Sequence, residues 1–543
     1  MTNRNGKVYL KQNVVAEPLF NQWYAWPHLL SPATAPLFVA NLHLKIMQSF
    51  VTNPAIHAAA AKNPELIGGP FIHYGPERVG EIRGLLEKTR KEQAKMVEFA
   101  EAVKKLDQML QDEAVGYSLE PLYAKLPDVL RGYVELYYDL HNHPSFRLIE
   151  GLLYESPIYN PQSQSFALSL LEQDHRPFVI STPRLEDETS LHLSIPFASQ
   201  SVDELFKMKQ QPKTLAHVAD LLGLTDEQSV ARFCTEETPP PVTRYTGEDV
   251  RIRYFSHACL LIESNKLSIL VDPLVSYKYE TGVYRYTFAD LPEYIDYVLI
   301  THNHQDHCAL ETLLQLRHKI KNVVVPRSTG GLVDPSMKLI LKHAGFKHVH
   351  EIDEMETIEI EGGSIRALPF LGEHADLNVR AKTAYLVRIG QSSIVAGADS
   401  CNIDPQLYSH IHDCIGELDA LFLGMECDGA PLSWVYGPLL SKPLAHKMDQ
   451  SRRFNGSNYE QALDLVMRLR PQRVFIYAMG MEPWLTYITA IQYNDESLPI
   501  VESNKLIEAV SNRGIPVERL YCHREIFLSN RSKPAAAHAV RRG

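Results

Sequence analysis

Four side chains that can bind metal ions lie within six residues of this chain: His302, His304, Asp306 and His307. They follow an apolar run at residues 297–300, which predicts a buried strand. Imidazole and carboxylate groups are the ligands by which proteins hold divalent transition metals. A strand end would present the first two histidines from a fixed backbone, and the turn would carry the other two side chains to a second position nearby. The spacing therefore predicts two adjacent metal ions rather than a polar loop in which histidines cluster by chance.

The elements that must position this motif belong to the second part of a divided chain. At 543 residues the chain exceeds what one hydrophobic core usually covers, so we expect at least two domains. A charged, proline-rich segment at residues 235–242 predicts a linker. It separates an N-terminal α+β domain at residues 1–234 from a second domain at residues 243–530. We expect residues 531–543 to form a flexible tail.

Periodicity and turn residues predict the elements on either side of that linker. Beyond it, short strands of branched residues alternate with helical segments, which predicts a layered α/β architecture. Before it, apolar residues recur at helical spacing over residues 77–113, which predicts one long helix. We expect a second helical region at residues 122–155. It contains His141 and His143, but Pro144 follows and no Asp-His pair does, so a polar loop is favoured over a metal site.

The overall composition is that of an ordinary globular protein, with 45% hydrophobic and 22% charged residues. The net charge of -11 argues against a general nucleic-acid binder, which would be basic. Seven cysteines without a C-x-x-C pair favour reduced thiols over a disulfide framework. The sequence shows neither a secretory signal nor an apolar run that could cross a bilayer. We therefore expect a soluble cytoplasmic protein that binds neither nucleic acid nor membrane.

The second domain resembles the metallo-β-lactamase superfamily. The resemblance rests on the motif at residues 302–307 and on the segments at residues 255–263 and 270–273. It implies an αββα sandwich with two metals at one sheet edge, and an aspartate after a later strand that bridges them. The matching residue is Asp399, which follows the strand-like run at residues 393–396.

Two features depart from the pattern of most hydrolases in that superfamily. Where they place another histidine ligand, this chain has Glu373 and His374 side by side, and both compete for the position. Where they place a histidine after a late strand, this chain has Ala478, with His446 as a distant substitute. If Glu373 binds and the last histidine is absent, the metal ligands become three histidines and three carboxylates. Such an oxygen-rich set favours iron or manganese over zinc.

A closer resemblance covers nearly the whole chain. The aromatic-rich segment at residues 17–28, the segment at residues 31–35 and the adjacent Glu373 and His374 resemble the diiron β-hydroxylase family of nonribosomal peptide biosynthesis. The resemblance implies a centre of two iron ions. The ligands that it implies are His302, His304, Asp306, His307, Glu373 and Asp399.

The same resemblance implies a reaction and its partners. Members of the family use O2 as co-substrate and an external electron donor to hydroxylate the β-carbon of an amino acid. That amino acid is held as a thioester on a carrier (thiolation) domain of a nonribosomal peptide synthetase. The N-terminal domain is implied to support homodimerisation and recognition of the synthetase.

Further residues are candidates for catalytic, supporting or substrate-lining roles near this implied metal centre. Glu373 is expected to change its coordination when substrate binds, and Glu426, after another strand, is a candidate catalytic acid near the metals. His257 and Asp272 are expected to support ligands rather than to bind metal. Two aromatic residues are candidates for the wall of a substrate channel: Trp434 and Tyr436.

Two other functions are compatible with the sequence. A dizinc hydrolase of a phosphodiester, thioester or lactone would use His374 and a final histidine such as His446. A non-catalytic carrier-binding protein would keep a vestigial metal site, although the intact motif argues against it. The oxygenase is the function that the family resemblance favours.

Overall fold

The computed structural model describes residues 6–63 and 66–529, so the tail predicted at residues 531–543 lies outside the described residues. Before residue 250 the strands are β1 (Lys7–Leu10), β2 (Val14–Phe20), β3 (Trp23–Tyr24), β4 (Val134–Tyr138), β5 (Pro144–Leu148), β6 (Gln164–Leu170), β7 (Leu191–Leu193), β8 (Lys213–Thr214) and β9 (Cys234–Thr235). The helices are α1 (Pro27–Leu30), α2 (Ala35–Phe38), α3 (Leu44–Thr52), α4 (Pro54–Ala60), α5 (Val79–Glu92), α6 (Ala94–Glu113), α7 (Glu150–Tyr154), α8 (Gln200–Lys207), α9 (Leu215–Leu221) and α10 (Gln228–Ala231). Residues 236–249, which include most of the predicted linker, form neither helix nor strand.

From residue 250 onward, strands dominate the chain. The strands are β10 (Val250–Ser256), β11 (Cys259–Glu263), β12 (Ser268–Val271), β13 (Ile295–Leu299), β14 (Ile320–Pro326), β15 (Val349–Ile352), β16 (Thr357–Ile360), β17 (Gly363–Leu368), β18 (Ala384–Ile389), β19 (Ser392–Ala396), β20 (Ala420–Gly424), β21 (Val474–Tyr477), β22 (Val517–Arg519) and β23 (Arg524–Leu528). The helices are α11 (Leu310–Leu316), α12 (Met337–His343), α13 (Pro405–Ile415), α14 (Ser433–Tyr436), α15 (His446–Ser451), α16 (Tyr459–Leu469), α17 (Thr486–Thr489) and α18 (Leu498–Ser511).

Two seven-stranded sheets pack face to face in this second part. Their strand orders are β15-β14-β13-β12-β11-β10-β23 and β16-β17-β18-β19-β20-β21-β22. Ile252 of the first sheet and Tyr385 and Phe422 of the second belong to one buried core between them. Residues of α11 and α12 join the core on the outer face of the first sheet, and residues of α13, α16 and α18 join that of the second. The predicted αββα sandwich is confirmed.

Parallel strands bring distant parts of the chain to one edge of this sandwich. β12, β13 and β14 run parallel in the first sheet, and β19, β20 and β21 run parallel in the second. The carboxyl ends of parallel strands meet at one edge, where α/β proteins place their ligands. The segments that follow β12, β13, β19 and β20 carry Asp272, the motif at residues 302–307, Asp399 and Glu426.

The long helix predicted at residues 77–113 is two helices, α5 and α6, which meet at Gln93. The Gln93 side chain is buried, and its Nε2 donates a hydrogen bond to Ser163 Oγ at 2.8 Å. Asn21 likewise donates to Thr89 Oγ1 at 2.9 Å in the last turn of α5. These bonds to residues distant in the sequence hold the break between α5 and α6 in place. Helical periodicity alone does not reveal such a break.

The prediction of a helical region at residues 122–155 was wrong over residues 134–148, whereas α7 and the short 3-10 turns at residues 120–125 and 128–130 are helical. β4 and β5 pair as an antiparallel hairpin, and burial alternates along β4 as expected of a strand with one solvent face. Asp139 closes the turn, since its carboxylate accepts bonds from the backbone N–H groups of His141 and His143, each at 2.8 Å. Both histidines are exposed in this polar loop, and neither belongs to a described metal-ligand group.

Two predictions from composition concern disulfides and membranes. All seven cysteines lie among the described residues, and all are free thiols. Within the described ranges, no helix combines the length and the apolar character needed to span a bilayer.

A buried ion-pair network connects the N-terminal part to the helix that follows the metal motif. Arg176 lies 2.6 Å from Glu17 and 2.8 Å from Glu311, which is in the first turn of α11. Its guanidinium also lies 3.7 Å from the centre of the Tyr487 ring. Burial raises the pKa of Glu17, but the guanidinium groups of Arg184 and Arg176 outweigh this effect and lower it to about 2. Charge pairing therefore ties the two parts together within a region closed to solvent.

Replacement of Arg176 by Met should lower the free energy of unfolding by about 3–5 kcal/mol, because the buried Glu311 would lose its counter-charge and Glu17 would keep only that of Arg184. Denaturant titration of the purified protein would measure the change. The matched control is Arg147→Met, which removes an exposed pair with Glu135 and should change stability by less than about 1 kcal/mol. Because the pKa of Glu17 is lowered to about 2, its stabilisation is present above the ordinary carboxyl range and is lost as the pH falls towards 2. Equal effects of the two substitutions would contradict this account.

Candidate metal centre

Asp272 fixes the start of the motif at the end of β13. Its carboxylate accepts the Thr301 backbone N–H at 2.8 Å and the Thr301 hydroxyl at 2.6 Å. The same carboxylate lies 2.8 Å from Nδ1 of His307. These bonds join the first and last residues of the turn, so Nε2 of His307 is directed away from Asp272 and towards the other ligand candidates. Asp272 thus orients the imidazole of a candidate ligand, which is the supporting role expected from the sequence.

One group of candidate ligands consists of His302, His304 and Glu373. Nδ1 of His304 lies 2.7 Å from one Glu373 oxygen, and Nε2 of His302 lies 3.9 Å from the other. All three side chains are buried. Burial raises the pKa of Glu373, but the imidazoles of His304 and His374 lower it to about 2. The carboxylate therefore stays ionised although it is buried.

The loop that carries Glu373 depends on a glycine. Gly372 has a φ of +81°, and a Cβ at this position would lie 2.5 Å from the Cβ of Cys401. Only glycine allows this approach between the Glu373 loop and the segment that follows Asp399. Glu373 itself has a φ of +65°, which is uncommon for a residue with a Cβ. The backbone at this point is held in a costly conformation that aims the carboxylate at the histidines.

Asp399 lies between two histidines of the motif. Its Oδ2 is 3.0 Å from Nε2 of His307 and 3.7 Å from Nε2 of His302. The backbone N–H of Ala398 donates to the Tyr477 hydroxyl at 2.9 Å, which holds the turn after β19. Asp399 therefore contacts the atoms that would bind both metals, as a bridging ligand must.

A third group consists of His257, Asp306 and His307. Nε2 of His257 lies 3.3 Å from Asp306 and 3.2 Å from Nε2 of His307. Burial raises the pKa of Asp306, but hydrogen bonding to His257 and the imidazoles of His307 and His304 hold it well below its usual range. The structure thus brings all six predicted ligands together in neighbouring groups, with His257 as an additional member.

The donor atoms fit a pair of metal ions. Nε2 of His302 and Oδ1 of Asp399 are buried without a hydrogen-bond partner among the described residues. Buried polar atoms nearly always have a partner, and a bound ion is one of the accepted explanations for an exception. Burial lowers the pKa of His307, yet the carboxylates of Asp399 and Asp272 outweigh this effect and hold it well above its usual range. The two carboxylates thus favour a positive charge at this position, which a bound metal cation would supply.

Neither histidine that a dizinc hydrolase would need joins these groups. Nδ1 of His374 lies 2.8 Å from Glu373, and its ring stacks on His304 with 4.7 Å between the ring centres. It is a neighbour of the ligand groups and belongs to none of those described. His446 is exposed at the start of α15 and is also outside the described groups.

A cavity of about 390 Å³ opens onto the ligands. Its wall includes Glu426 and Trp434, both of which the sequence singled out. Burial and the nearby carboxylates of Asp399, Asp306 and Glu373 raise the pKa of Glu426 well above its usual range. Tyr436 lies behind the wall instead, with its hydroxyl 3.4 Å from Nε2 of His304.

The sequence did not predict that residues of the N-terminal part line this cavity. Ile67, Gly68 and Gly69 line the same cavity. The Trp434 indole donates to the Gly68 carbonyl at 2.7 Å, and a Cβ at Gly68 would lie 3.0 Å from the Cβ of Ala490. The paired glycines are the only local signal of this approach. Their partners lie hundreds of residues away, so the sequence does not reveal the contact.

Comparison with known proteins identifies the family of this chain. A model of the diiron non-heme β-hydroxylase N-terminal domain matches residues 9–238, and a model of the β-lactamase superfamily domain matches residues 251–409. The 4-amino-L-phenylalanyl-(CmlP peptidyl carrier protein) 3-hydroxylase of Streptomyces venezuelae is 39% identical over 530 residues, which cover 96% of this chain and 99% of that protein. The chain belongs to the diiron non-heme β-hydroxylase family.

Solved structures of this β-hydroxylase family share the fold. The crystal structure of CmlA, a diiron β-hydroxylase from Streptomyces venezuelae, has a TM-score of 0.91 at 39% identity and covers 96% of this chain and 100% of that chain. A mutant of CmlA has a TM-score of 0.89 at 38% identity, with the same coverage of both chains. Family membership shows that this chain is a diiron enzyme and favours the hydroxylase over the hydrolase.

Replacement of Asp399 by Ala should remove most of the bound metal, because a bridging carboxylate serves both ions. Elemental analysis of the purified variant would measure the metal content per chain. The matched control is Asp428→Ala, which removes another carboxylate of the cavity wall outside the described ligand groups and should retain the metal of the wild type. Full metal content in the Asp399 variant would refute the bridging assignment.

Proposed function

We propose that this enzyme hydroxylates the β-carbon of an amino acid tethered as a thioester to a carrier domain of a nonribosomal peptide synthetase. The observation that carries the proposal is the similarity over 96% of the chain to an enzyme whose name specifies 3-hydroxylation of an aminoacyl group on a peptidyl carrier protein. The buried, carboxylate-rich ligand groups beside a cavity are consistent with such chemistry.

Six residues would hold the two irons in this proposal: His302, His304, Asp306, His307, Glu373 and Asp399. When bound, the irons supply activation of O2, with electrons from an external donor. Asp272 accepts the Nδ1 proton of His307 and so leaves Nε2 free for a metal. The Tyr436 hydroxyl, 3.4 Å from Nε2 of His304, holds the ring whose Nδ1 faces Glu373. Glu373 remains our candidate for the ligand that changes its coordination when substrate binds.

The cavity supports a substrate that is presented on an arm. A volume of about 390 Å³ accommodates an aminoacyl group but not a folded carrier domain. The carrier would therefore stay outside while its thioester arm enters. Because Ile67, Gly68 and Gly69 belong to the wall, we assign the N-terminal part a role in receiving the carrier.

Glu426 has a chemical role in this proposal. Burial and the nearby carboxylates of Asp399, Asp306 and Glu373 raise its pKa, which favours the protonated carboxyl at this cavity wall. A protonated carboxyl can donate a hydrogen bond, which ionised neighbours cannot do. We assign Glu426 to holding a proton at the cavity surface, where it can orient a substrate carbonyl.

Homodimerisation, the electron-transfer partner and a cytoplasmic location stay predictions.

The direct test combines metal analysis with a product assay. Protein produced with iron and zinc both available should contain about two irons per chain and show the near-ultraviolet absorption of an oxo-bridged diferric pair. With a reductant and O2, it should add one oxygen atom to an amino acid loaded on a carrier domain and leave the same free amino acid unchanged. Mass spectrometry of the released amino acid would detect the addition. A colourless protein with two zincs that hydrolyses a phosphodiester would overturn the proposal.

Replacement of Glu373 by His should shift metal selection from iron towards zinc and suppress hydroxylation, because the ligand group would lose its carboxylate. Histidine is among the residues that tolerate a positive φ, so the loop should persist. The matched control is His374→Asn, which removes the neighbouring imidazole and should retain iron. Hydroxylation at the wild-type rate by the Glu373 variant would contradict the role of the carboxylate. Loss of metal in the His374 variant would instead favour the hydrolase arrangement.

A further inference from the structure

Metal binding uses only part of the polar surface of the cavity beside the metal centre. Four residues of its wall belong to the candidate ligands: His304, Asp306, Glu373 and Asp399. The wall residues with other polar side chains are Gln305, Glu426, Asp428, Trp434, Arg453 and Thr489. A side chain whose hydrogen bonds are made within the protein has little capacity left for a ligand. Polar atoms of the wall without such bonds therefore mark where a substrate would be held.

Four of these six side chains are bonded to neighbouring parts of the protein. Trp434 and Thr489 each donate a hydrogen bond to a backbone carbonyl, at 2.7 Å and 3.2 Å. Arg453 also donates to a backbone carbonyl, at 2.7 Å, and its guanidinium lies 3.2 Å from Asp428. These contacts hold the segments of the wall together.

Gln305 differs from them because it has an acceptor atom without a bond. The residue is 3% exposed, and its Oε1 is buried without a hydrogen-bond partner among the described residues. Burial of an amide oxygen without a partner is unfavourable, and an exception in a native protein needs an explanation. Rotation about the last side-chain torsion, which is broad for glutamine, can turn this oxygen towards the cavity. The wall thus contains a carbonyl group that lacks a donor.

The motif turn fixes Gln305 beside the metal centre. In sequence it lies between two candidate ligands, His304 and Asp306. The His304 carbonyl accepts the backbone N–H groups of His307 and Cys308 at 3.2 Å and 2.9 Å, which closes the turn around Gln305. A group bonded to its side chain is therefore held close to the ligands. The substituents of the α-carbon have to lie there when the neighbouring β-carbon is the reacting atom.

The chemistry of the proposed substrate identifies the missing donor. An aminoacyl thioester has a carbonyl oxygen, which only accepts hydrogen bonds, and an α-amino group, which donates them. Oε1 of Gln305 can therefore bond to the amino group but not to the thioester oxygen. A protonated amino group makes such a bond stronger because the donor is charged. Glu426, which we assigned to the substrate carbonyl, lies in the same wall and supplies the complementary contact.

We propose that Gln305 binds the α-amino group of the carrier-bound substrate and so selects aminoacyl groups over acyl groups that lack the α-nitrogen. The inference rests on the proposed function, which supplies the class of substrate. The rival role for Gln305 is a hydrogen bond to water held at the metal pair. That role predicts no preference between an aminoacyl arm and an acyl arm.

The test compares two carrier domains whose arms differ in one group. One arm carries phenylalanine as its thioester, and the other carries 3-phenylpropanoate, which lacks the amino group. Binding to the iron-loaded protein is measured by calorimetry without reductant. The dissociation constant of the wild type should be about 10- to 100-fold lower for the aminoacyl arm, as expected of one hydrogen bond to a charged group. Gln305→Met keeps the length of the side chain but removes the carboxamide, and it should bind both arms with nearly equal constants.

The matched control is Gln315→Met. It removes another buried carboxamide whose Oε1 has no partner among the described residues, but one outside this cavity wall, and it should keep the wild-type preference. Elemental analysis should show the wild-type iron content in Gln305→Met, and loss of iron would overturn the proposal by assigning Gln305 to the metal site. Equal binding of both arms by the wild type, or a full preference in Gln305→Met, would overturn it as well. Because binding is measured without turnover, a wild type that prefers the aminoacyl arm but fails to hydroxylate it would count against the proposed function alone.

Discussion

The Asp272 carboxylate is the interaction on which the metal site depends. It bonds to the backbone and hydroxyl of Thr301 and to the imidazole of His307, so one side chain fixes both ends of the motif turn. The bonds are buried, where an unmade hydrogen bond is costly and a made one is strong. With this turn fixed, the candidate metal-binding atoms of the motif are held in place by protein contacts alone. Preorganisation of this kind limits the reorganisation that metal binding requires.

The rest of the centre depends on the closure of two sheets around one core. The motif and His257 come from the first sheet, whereas Glu373 and Asp399 follow strands of the second. The apolar side chains between the sheets set their separation, and that separation decides whether the two sets of donors meet. The burial that aligns the sheets also removes water from the donors, which strengthens their interaction with a cation. Fold stability and metal binding therefore have a common physical origin.

The N-terminal part completes the active site as well as covering the sandwich. Its core includes Val435, Tyr436 and Phe454 from the far side of the sequence, and Gly68 contacts the wall at Trp434. A charged network also connects it to the helix after the motif. Under the proposed function, this wall would admit the thioester arm and exclude the folded carrier domain.

The sequence by itself determined the motif at residues 302–307, the strands around it and the layered α/β architecture, because these depend on local spacing and periodicity, which the covalent chain imposes. Resemblance to known families added the αββα sandwich and Glu373 and Asp399 as candidate ligands. Only the tertiary structure decided between Glu373 and His374 as members of a ligand group, divided the helix at Gln93 and brought His257 to Asp306. The physical reason is that these outcomes depend on side chains packed from distant segments. Their distances are set by the core between the sheets and leave no periodic trace in the sequence.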